Sequence, residues 1–422
     1  MKTHHHNNNF AMQRLHYTLA FTLSLVVSTA LSQAVSRDEA VQIALKNNQS
    51  IRAAEYQLDY FREMKKTGSD IGKTSFVWMH GQYNSVLQDD NFTVTQSIPF
   101  PTAIGSQVKL GKEQFIGSQK NLLVAQNNLV FEVKSVYERL LYQNALQNLH
   151  LTQDSLYTDF AKASTLRYKT GESNLLEKTT AETQLLEVKN LLKQNEADIL
   201  ILETKLQALL KSDAPIIAAD ILTRLLSDSE ISYVENNPQL AYFRQQVNIS
   251  QQFKKAERNK LMPDILLGYF NQSLVGVQNI DGQDQYFGKD KHFQGFQLGV
   301  GIPLWFSPHV ARSKAAAFQE EASRKNAEYY ETSLNSEARQ AMQELDKNLA
   351  SLSYYESSAL TNADLILSQS RKAYRAGEIG YIEYLQALRN AITIKSNYLI
   401  ALTQYNHSII KIQFLSGNIN TK

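Results

Sequence analysis

The chain has no cysteine, which removes disulfides, thiolate metal sites, cysteine nucleophiles and cysteine-linked lipid anchors together. Proline and glycine are scarce, 7 and 17 in 422 residues. Because these two residues punctuate helices and strands, long uninterrupted elements are expected. Neither sign of charge dominates: 43 lysines and arginines stand against 41 aspartates and glutamates. No basic excess is left to grip a nucleic-acid backbone, so no nucleic-acid partner is expected. Beyond residue 33 no apolar run reaches the roughly 18 residues that a membrane-spanning helix needs. The sequence also lacks a Walker A segment, a Gly-x-Ser-x-Gly elbow and a His-Glu-x-x-His helix. Nucleotide hydrolysis, acyl transfer and zinc proteolysis therefore have no visible apparatus, and no enzymatic activity is expected. His80, His150, His292, His309 and His407 are scattered rather than clustered as metal donors are, so neither a metal site nor a cofactor is expected.

What is present begins at the N-terminus. Arg14 and His16 precede the apolar run from Leu19 to Leu31, too short to cross a bilayer but of signal-peptide length. Ala30, Leu31 and Ser32 form a small-x-small cleavage site. A leader over residues 1–32 and a mature chain from about Gln33 are expected, with Met1 and Met12 both open as the start.

Hydrophobic spacing then outlines two halves of the same order. A helix is expected over Asp38 to Lys66, then strands over Ser75 to Leu87 and Asn91 to Phe100, with the turn at Gln88, Asp89 and Asp90. A helix of roughly 60 residues, Gln107 to Arg167, spans roughly 90 Å. A turn at Tyr168 to Asn174 and a return helix, Leu175 to Leu210, complete the half. In the second half the strands are Asp264 to Leu274 and Phe293 to Leu304, and the helices Val310 to Lys372 and Tyr381 to Leu415. Asn47 and Asn48 recur as Asn236 and Asn237, Pro99 as Pro303, and Tyr168, Gly171, Glu172 and Glu177 as Tyr374, Gly377, Glu378 and Glu383. The offset grows almost entirely inside the second hairpin, which puts an insertion in its loop, at about 276–291. The mature chain reads as one domain over 33–422, with repeats at about 36–210 and 236–416 joined by 211–235.

Each strand has one apolar face and the length of an outer-membrane strand; Phe296, Leu298, Val300 and Ile302 alternate with Gly295, Gln297, Gly299 and Gly301. Four strands cannot close on themselves, and open edges in hydrocarbon would leave amides unpaired. Three copies would supply 12 strands. A soluble half-buried sheet packed on helices is the competing reading. Phe100, Trp305 and Phe306 stand at the strand-to-helix ends, where an aromatic girdle would sit.

On the duplicated order, the Ile98-Pro99-Phe100 and Ile302-Pro303-Leu304 strand exits and the two Tyr-x-x-Gly-Glu turns, the sequence resembles the TolC family of outer-membrane efflux proteins. The Pro-Thr-Ala after the first hairpin and the brevity of the chain look most like its heavy-metal branch, the CzcC and CusC type. The resemblance implies a mainly α fold with a small transmembrane β part. Four strands and four long helices per protomer would close as a homotrimer into a 12-stranded outer-membrane barrel and a 12-helix periplasmic tunnel. It implies a tip at Tyr168, Gly171, Glu172, Tyr374, Gly377 and Glu378 that meets a periplasmic adaptor, gate carboxylates at Glu177 and Glu383, and a lipid-facing stripe at Phe296, Leu298, Val300 and Ile302. Residues 211–235 would lie in the equatorial belt. Ile379 and Gln386 depart from the best-known members, which leaves Tyr374 and Arg375 as candidates for a closed-state lock.

The function implied is a passive conduit in the outer membrane, exporting substrates, heavy-metal cations among them, handed over by an inner-membrane RND-type pump through the adaptor. An outlet for type I protein secretion or for a multidrug pump stays open. So does a periplasmic coiled-coil adaptor, though no compact β domains of the adaptor kind are visible.

Overall fold

The computed structural model describes residues 33–226 and 234–418; the expected leader lies outside the described residues. A short strand β1 (Gln33–Val35) leads into helices α1 (Arg37–Asn47) and α2 (Gln49–Met64). A 3-10 turn follows, then strands β2 (Ser75–Gly81) and β3 (Asp89–Ile98), the long helix α3 (Pro101–Lys169) and its return α4 (Leu175–Leu210). The connector carries β4 (Ile216–Ala218). The second half runs α5 (Pro238–Asn259), β5 (Asp264–Ser273), a small hairpin β6 (Gly276–Ile280) and β7 (Gln283–Phe287), and β8 (His292–Gly301). It ends with α6 (Phe306–Tyr354), α7 (Leu360–Ala376) and α8 (Tyr381–Ser416).

The helix expected over Asp38 to Lys66 is two helices, broken at Asn48, whose backbone is extended at φ −64°, ψ 134°. The break is a hydrogen-bonded joint. The Asn48 side-chain oxygen accepts the Ser50 N–H at 2.8 Å, and its amide donates to the Leu209 carbonyl at 2.9 Å in the last turn of α4. Asn237 repeats the device: its oxygen accepts from Gln239 and Leu240, and its amide donates to the Leu415 carbonyl at 3.0 Å, in the last turn of α8. One side chain thus caps a helix start and satisfies an otherwise orphaned carbonyl at a helix end, which is why the asparagine recurs in both halves.

β2 ends at Gly81, short of the expected Leu87, because the next residues wrap around the buried Asp89 carboxylate. That carboxylate accepts the N–H groups of Tyr83 and Asn84 at 3.0 and 2.7 Å and the Ser85 hydroxyl at 2.8 Å. The expected insertion at about 276–291 folds as the β6–β7 hairpin. The long helix of the second half is continuous in direction from α6 to α7 but passes through a π-helical turn, Tyr355–Ala359. With 69 residues, α3 is about 100 Å long.

The principal sheet is antiparallel, in the order β2-β3-β5-β8, and the two halves meet where β3 pairs with β5. Register places Trp78 opposite Phe92, Val94 opposite Tyr269, Leu267 opposite Leu298, Tyr269 opposite Phe296 and Ile265 opposite Val300. These pairs share one face, which is therefore mainly apolar across all four strands, with Gln96, Asn271 and Gln294 as polar members. The opposite face carries Thr93, Thr95, Gly268, Gln297 and Gly299. β2 and β8 are its edges.

Midway along the helices β1 pairs in parallel with β4, over a core that includes Val41, Tyr137, Leu140, Leu206 and Leu210. Glu138 is buried here. Asn406 donates to it at 2.5 Å and Arg37 lies 3.7 Å away, so the N-terminal segment, α3 and α8 converge on one carboxylate.

Candidate functional site

At the end of the helices farthest from the sheet, two turns of the same geometry reverse the chain. Gly171 and Gly377 take φ of 78° and 77°, the left-handed conformation that closes a helix. The Glu172 N–H donates to the Arg167 carbonyl at 2.9 Å, and the Glu378 N–H to the Ala373 carbonyl at 2.9 Å. The helices that follow start differently. Asn174 caps α4 by accepting the Glu177 N–H at 2.9 Å. The equivalent cap of α8 is Gly380, which has no side chain. Glu383 compensates by reaching back to accept the Gly380 N–H at 2.9 Å.

That difference frees Glu177 for another task. Its side chain is 5% exposed and sits among donors: the Ser173 hydroxyl at 2.6 Å, the Tyr374 hydroxyl at 2.8 Å, the Ser164 hydroxyl at 3.4 Å and the Arg167 guanidinium at 3.6 Å. A buried carboxylate is tolerated only when its oxygens are satisfied in this way. Tyr374 belongs to the other turn, so the contact ties the two hairpins together. Its ring stacks on Tyr384 at 4.6 Å and 7°, and Phe160 meets both rings edge-on. Burial, then the bond to Glu177, raises the Tyr374 pKa and keeps the hydroxyl a donor. On the surface above, Asp159 of α3 pairs with Arg371 at 2.7 Å and Arg375 at 3.7 Å, both on α7.

The tip residues read from the sequence thus divide. Tyr168, Gly171, Glu172, Gly377, Glu378 and Glu383 lie on the surface, whereas Tyr374 and Glu177 are interior. A carboxylate held inside the protomer does not line an entrance, so Glu177 departs from the gate role expected of it. Sequence reading named Tyr374 and Arg375 but missed Asp159, Phe160, Ser164, Arg167, Arg371 and Tyr384. Helical spacing marks such residues as one face of a helix without saying what that face meets.

At the other end, Phe296, Leu298, Val300 and Ile302 are all strongly exposed, with Phe296 at 88% and Leu298 at 80%. Together with Phe76 and Trp78 they make a large solvent-facing apolar surface on a sheet with two unpaired edges. No helix among the described residues is long and apolar enough to cross a membrane.

Residues 232–418 match the family described as outer membrane efflux protein. Over these residues, the second half of the chain, it is similar to outer membrane efflux proteins. No curated protein matches it in sequence. Its fold is that of solved TolC-like channels. It is similar to CusC, whose structures concern folding and transmembrane channel formation, with TM-score 0.73 and 16% identity over 92% of this chain and 95% of that one. It is similar to the outer-membrane channel OprN, with TM-score 0.74 and 15% identity over 90% and 89% of the two chains. The outer membrane protein VceC of Vibrio cholerae gives TM-score 0.73 and 14% identity over 90% and 96%. In this TolC-like fold the helical part carries the tip described above, and the four-stranded sheet is the small β part expected from the sequence.

Proposed function

We propose that the protein is the outer-membrane conduit of a tripartite efflux system. Three copies join the β8 edge of one protomer to the β2 edge of the next, giving a 12-stranded barrel in the outer membrane above a 12-helix tunnel in the periplasm. The observation that carries this reading is the in-register, mainly apolar face across all four strands, on a sheet whose two edges are unpaired among the described residues. Such a sheet is stable in hydrocarbon only when closed. The barrel then meets lipid through Phe296, Leu298, Val300 and Ile302.

Transport is passive, and the energy comes from an inner-membrane pump of the RND type, reached through a periplasmic adaptor that meets the tip at Tyr168, Gly171, Glu172, Gly377 and Glu378. The Glu177–Tyr374 clasp and the Asp159–Arg371 pair hold the hairpins together and so hold the tip closed. Glu383, exposed at the start of α8, is the remaining candidate for a carboxylate ring at the entrance. Heavy-metal cations are the cargo class that the sequence resemblance points to.

Two experiments test the proposal. The full chain purified in uncharged detergent is expected to be a trimer by mass photometry and to form discrete conductance steps in planar bilayers. A well-folded monomer without conductance overturns it. Deleting the gene is expected to sensitise cells to copper, zinc or cobalt salts; sensitisation to hydrophobic antibiotics alone would reject metal cargo and keep the conduit.

A further inference from the structure

Where the helices meet the sheet, α3, α5 and α6 line a half-open cavity of about 610 Å³. Four cations line it: Lys109 from α3, Lys255 and Arg258 from α5, and Lys314 from α6. No lining residue is acidic. Nearby carboxylates on the same helices are engaged elsewhere: Glu113 accepts from the Gln245 amide at 2.6 Å, Glu257 pairs with Lys260 at 2.5 Å and Glu320 with Lys254. None of the four cations makes an ion pair among the described residues.

Four like charges around one concavity repel each other, and an anion placed among them removes that repulsion and gains attraction to each. The backbone adds to the field. Both α3 and α6 begin at this end, and neither Phe100 nor Trp305, their N-cap residues, provides a side-chain acceptor for the first N–H groups. Two positive helix ends therefore point to the same region as the four side chains. An arginine with several lysines around a cavity matches an oxyanion with several acceptor oxygens, as phosphate is.

The position of the cavity narrows the source. Met262 of its wall lies two residues before β5, and the exposed Trp305 and Phe306 stand at the start of α6. Aromatic residues of that kind mark a membrane interface, and lipid phosphates lie at the same level. Leu261, Met262 and Val310 give the cavity an apolar wall beside its cations.

We infer that this cavity binds a phosphate group, carried by an anionic phospholipid or present as the free anion. Only the lipid source rests on the outer-membrane reading above. The test titrates the full chain, in uncharged detergent, with short-chain phosphatidylglycerol, short-chain phosphatidylcholine and inorganic phosphate, each followed by calorimetry. Phosphatidylglycerol is expected to bind about tenfold tighter than phosphatidylcholine, with a preference that fades as salt rises. The quadruple variant Lys109→Gln, Lys255→Gln, Arg258→Gln, Lys314→Gln is expected to lose the preference. The triple variant Lys109→Arg, Lys255→Arg, Lys314→Arg, which keeps every charge, is expected to retain it, so a loss caused by misfolding is distinguishable. Binding of inorganic phosphate as tight as that of phosphatidylglycerol, and abolished in the quadruple variant, supports the site and assigns it to a free anion. If neither probe binds, or if the quadruple variant binds both as wild type does, the inference is overturned. A protein that binds phosphate but neither trimerises nor conducts would refute the conduit and leave this site standing.

Discussion

The Tyr374 hydroxyl donates to Glu177 at 2.8 Å, across 197 residues of sequence, in a buried hydrogen bond between the two helical hairpins at the tip. Tyr374→Phe keeps the stack on Tyr384 but leaves a Glu177 oxygen short of a donor. A loss of about 1–3 kcal/mol is expected, read as a lower thermal midpoint. If the clasp holds the tip closed, single-channel conductance should rise as well. Unchanged conductance with lowered stability would make the contact structural only.

Asp159 and Arg371 are both near half-exposed, at 46% and 43%. Asp159→Ala should therefore cost little stability, under about 1 kcal/mol. Its expected effect is on the conductance of the bilayer-inserted channel, and a large drop in thermal midpoint without any change in conductance would contradict it.

In the proposed barrel, register decides which face meets lipid. Leu298→Arg is expected to destabilise the barrel by about 2–4 kcal/mol near the midplane, whereas Gln297→Arg on the opposite face is expected to be tolerated. Refolding of both variants into detergent measures this. The reverse order of damage would mean that the faces are exchanged.

Gly377 has φ 77°, and a Cβ built on it would meet nothing within 4 Å. The penalty of Gly377→Val is therefore backbone strain alone, about 1–3 kcal/mol. Trimers should still assemble while coupling to the adaptor fails. Normal resistance in cells carrying both Gly171→Val and Gly377→Val would reject the tip as the docking point.

Burial raises the Glu138 pKa above the ordinary 4.5, against the opposing pull of Asn406 and Arg37. The folded state then binds this proton more tightly than the unfolded state does. Its contribution to stability is fully present below 4.5 and is lost as pH rises through the raised folded value. Glu138→Gln keeps a group able to face Asn406 without the buried charge, so the stability gap between wild type and variant should change across that window and be flat above it. A gap that does not vary with pH would show that Glu138 titrates alike in both states.

The long helices, the four strands of the main sheet and their repeated order were legible in the sequence. The return helix at Leu175–Leu210 and the start of α8 at Tyr381 were legible because a glycine turn and a restart of helical spacing mark them, and strand alternation marked the apolar face at Phe296, Leu298 and Val300. These signals are local, set by backbone sterics and by the periods of helix and strand. What tertiary structure alone decided lies where a residue's partner is remote. Asn48 and Asn237 recur visibly, but their role as joints depends on carbonyls of α4 and α8 that only folding brings near. β1 became a strand through pairing with β4, 183 residues away along the chain at Gln33 and Ile216. Glu177 and Glu383 hold equivalent places in the repeat, yet one is buried and the other exposed, because Asn174 can cap a helix and Gly380 cannot, and because Tyr374 packs against only one of them. A repeated motif fixes backbone geometry through local sterics; whether its carboxylate faces water or a neighbour's hydroxyl is settled by what packs against it.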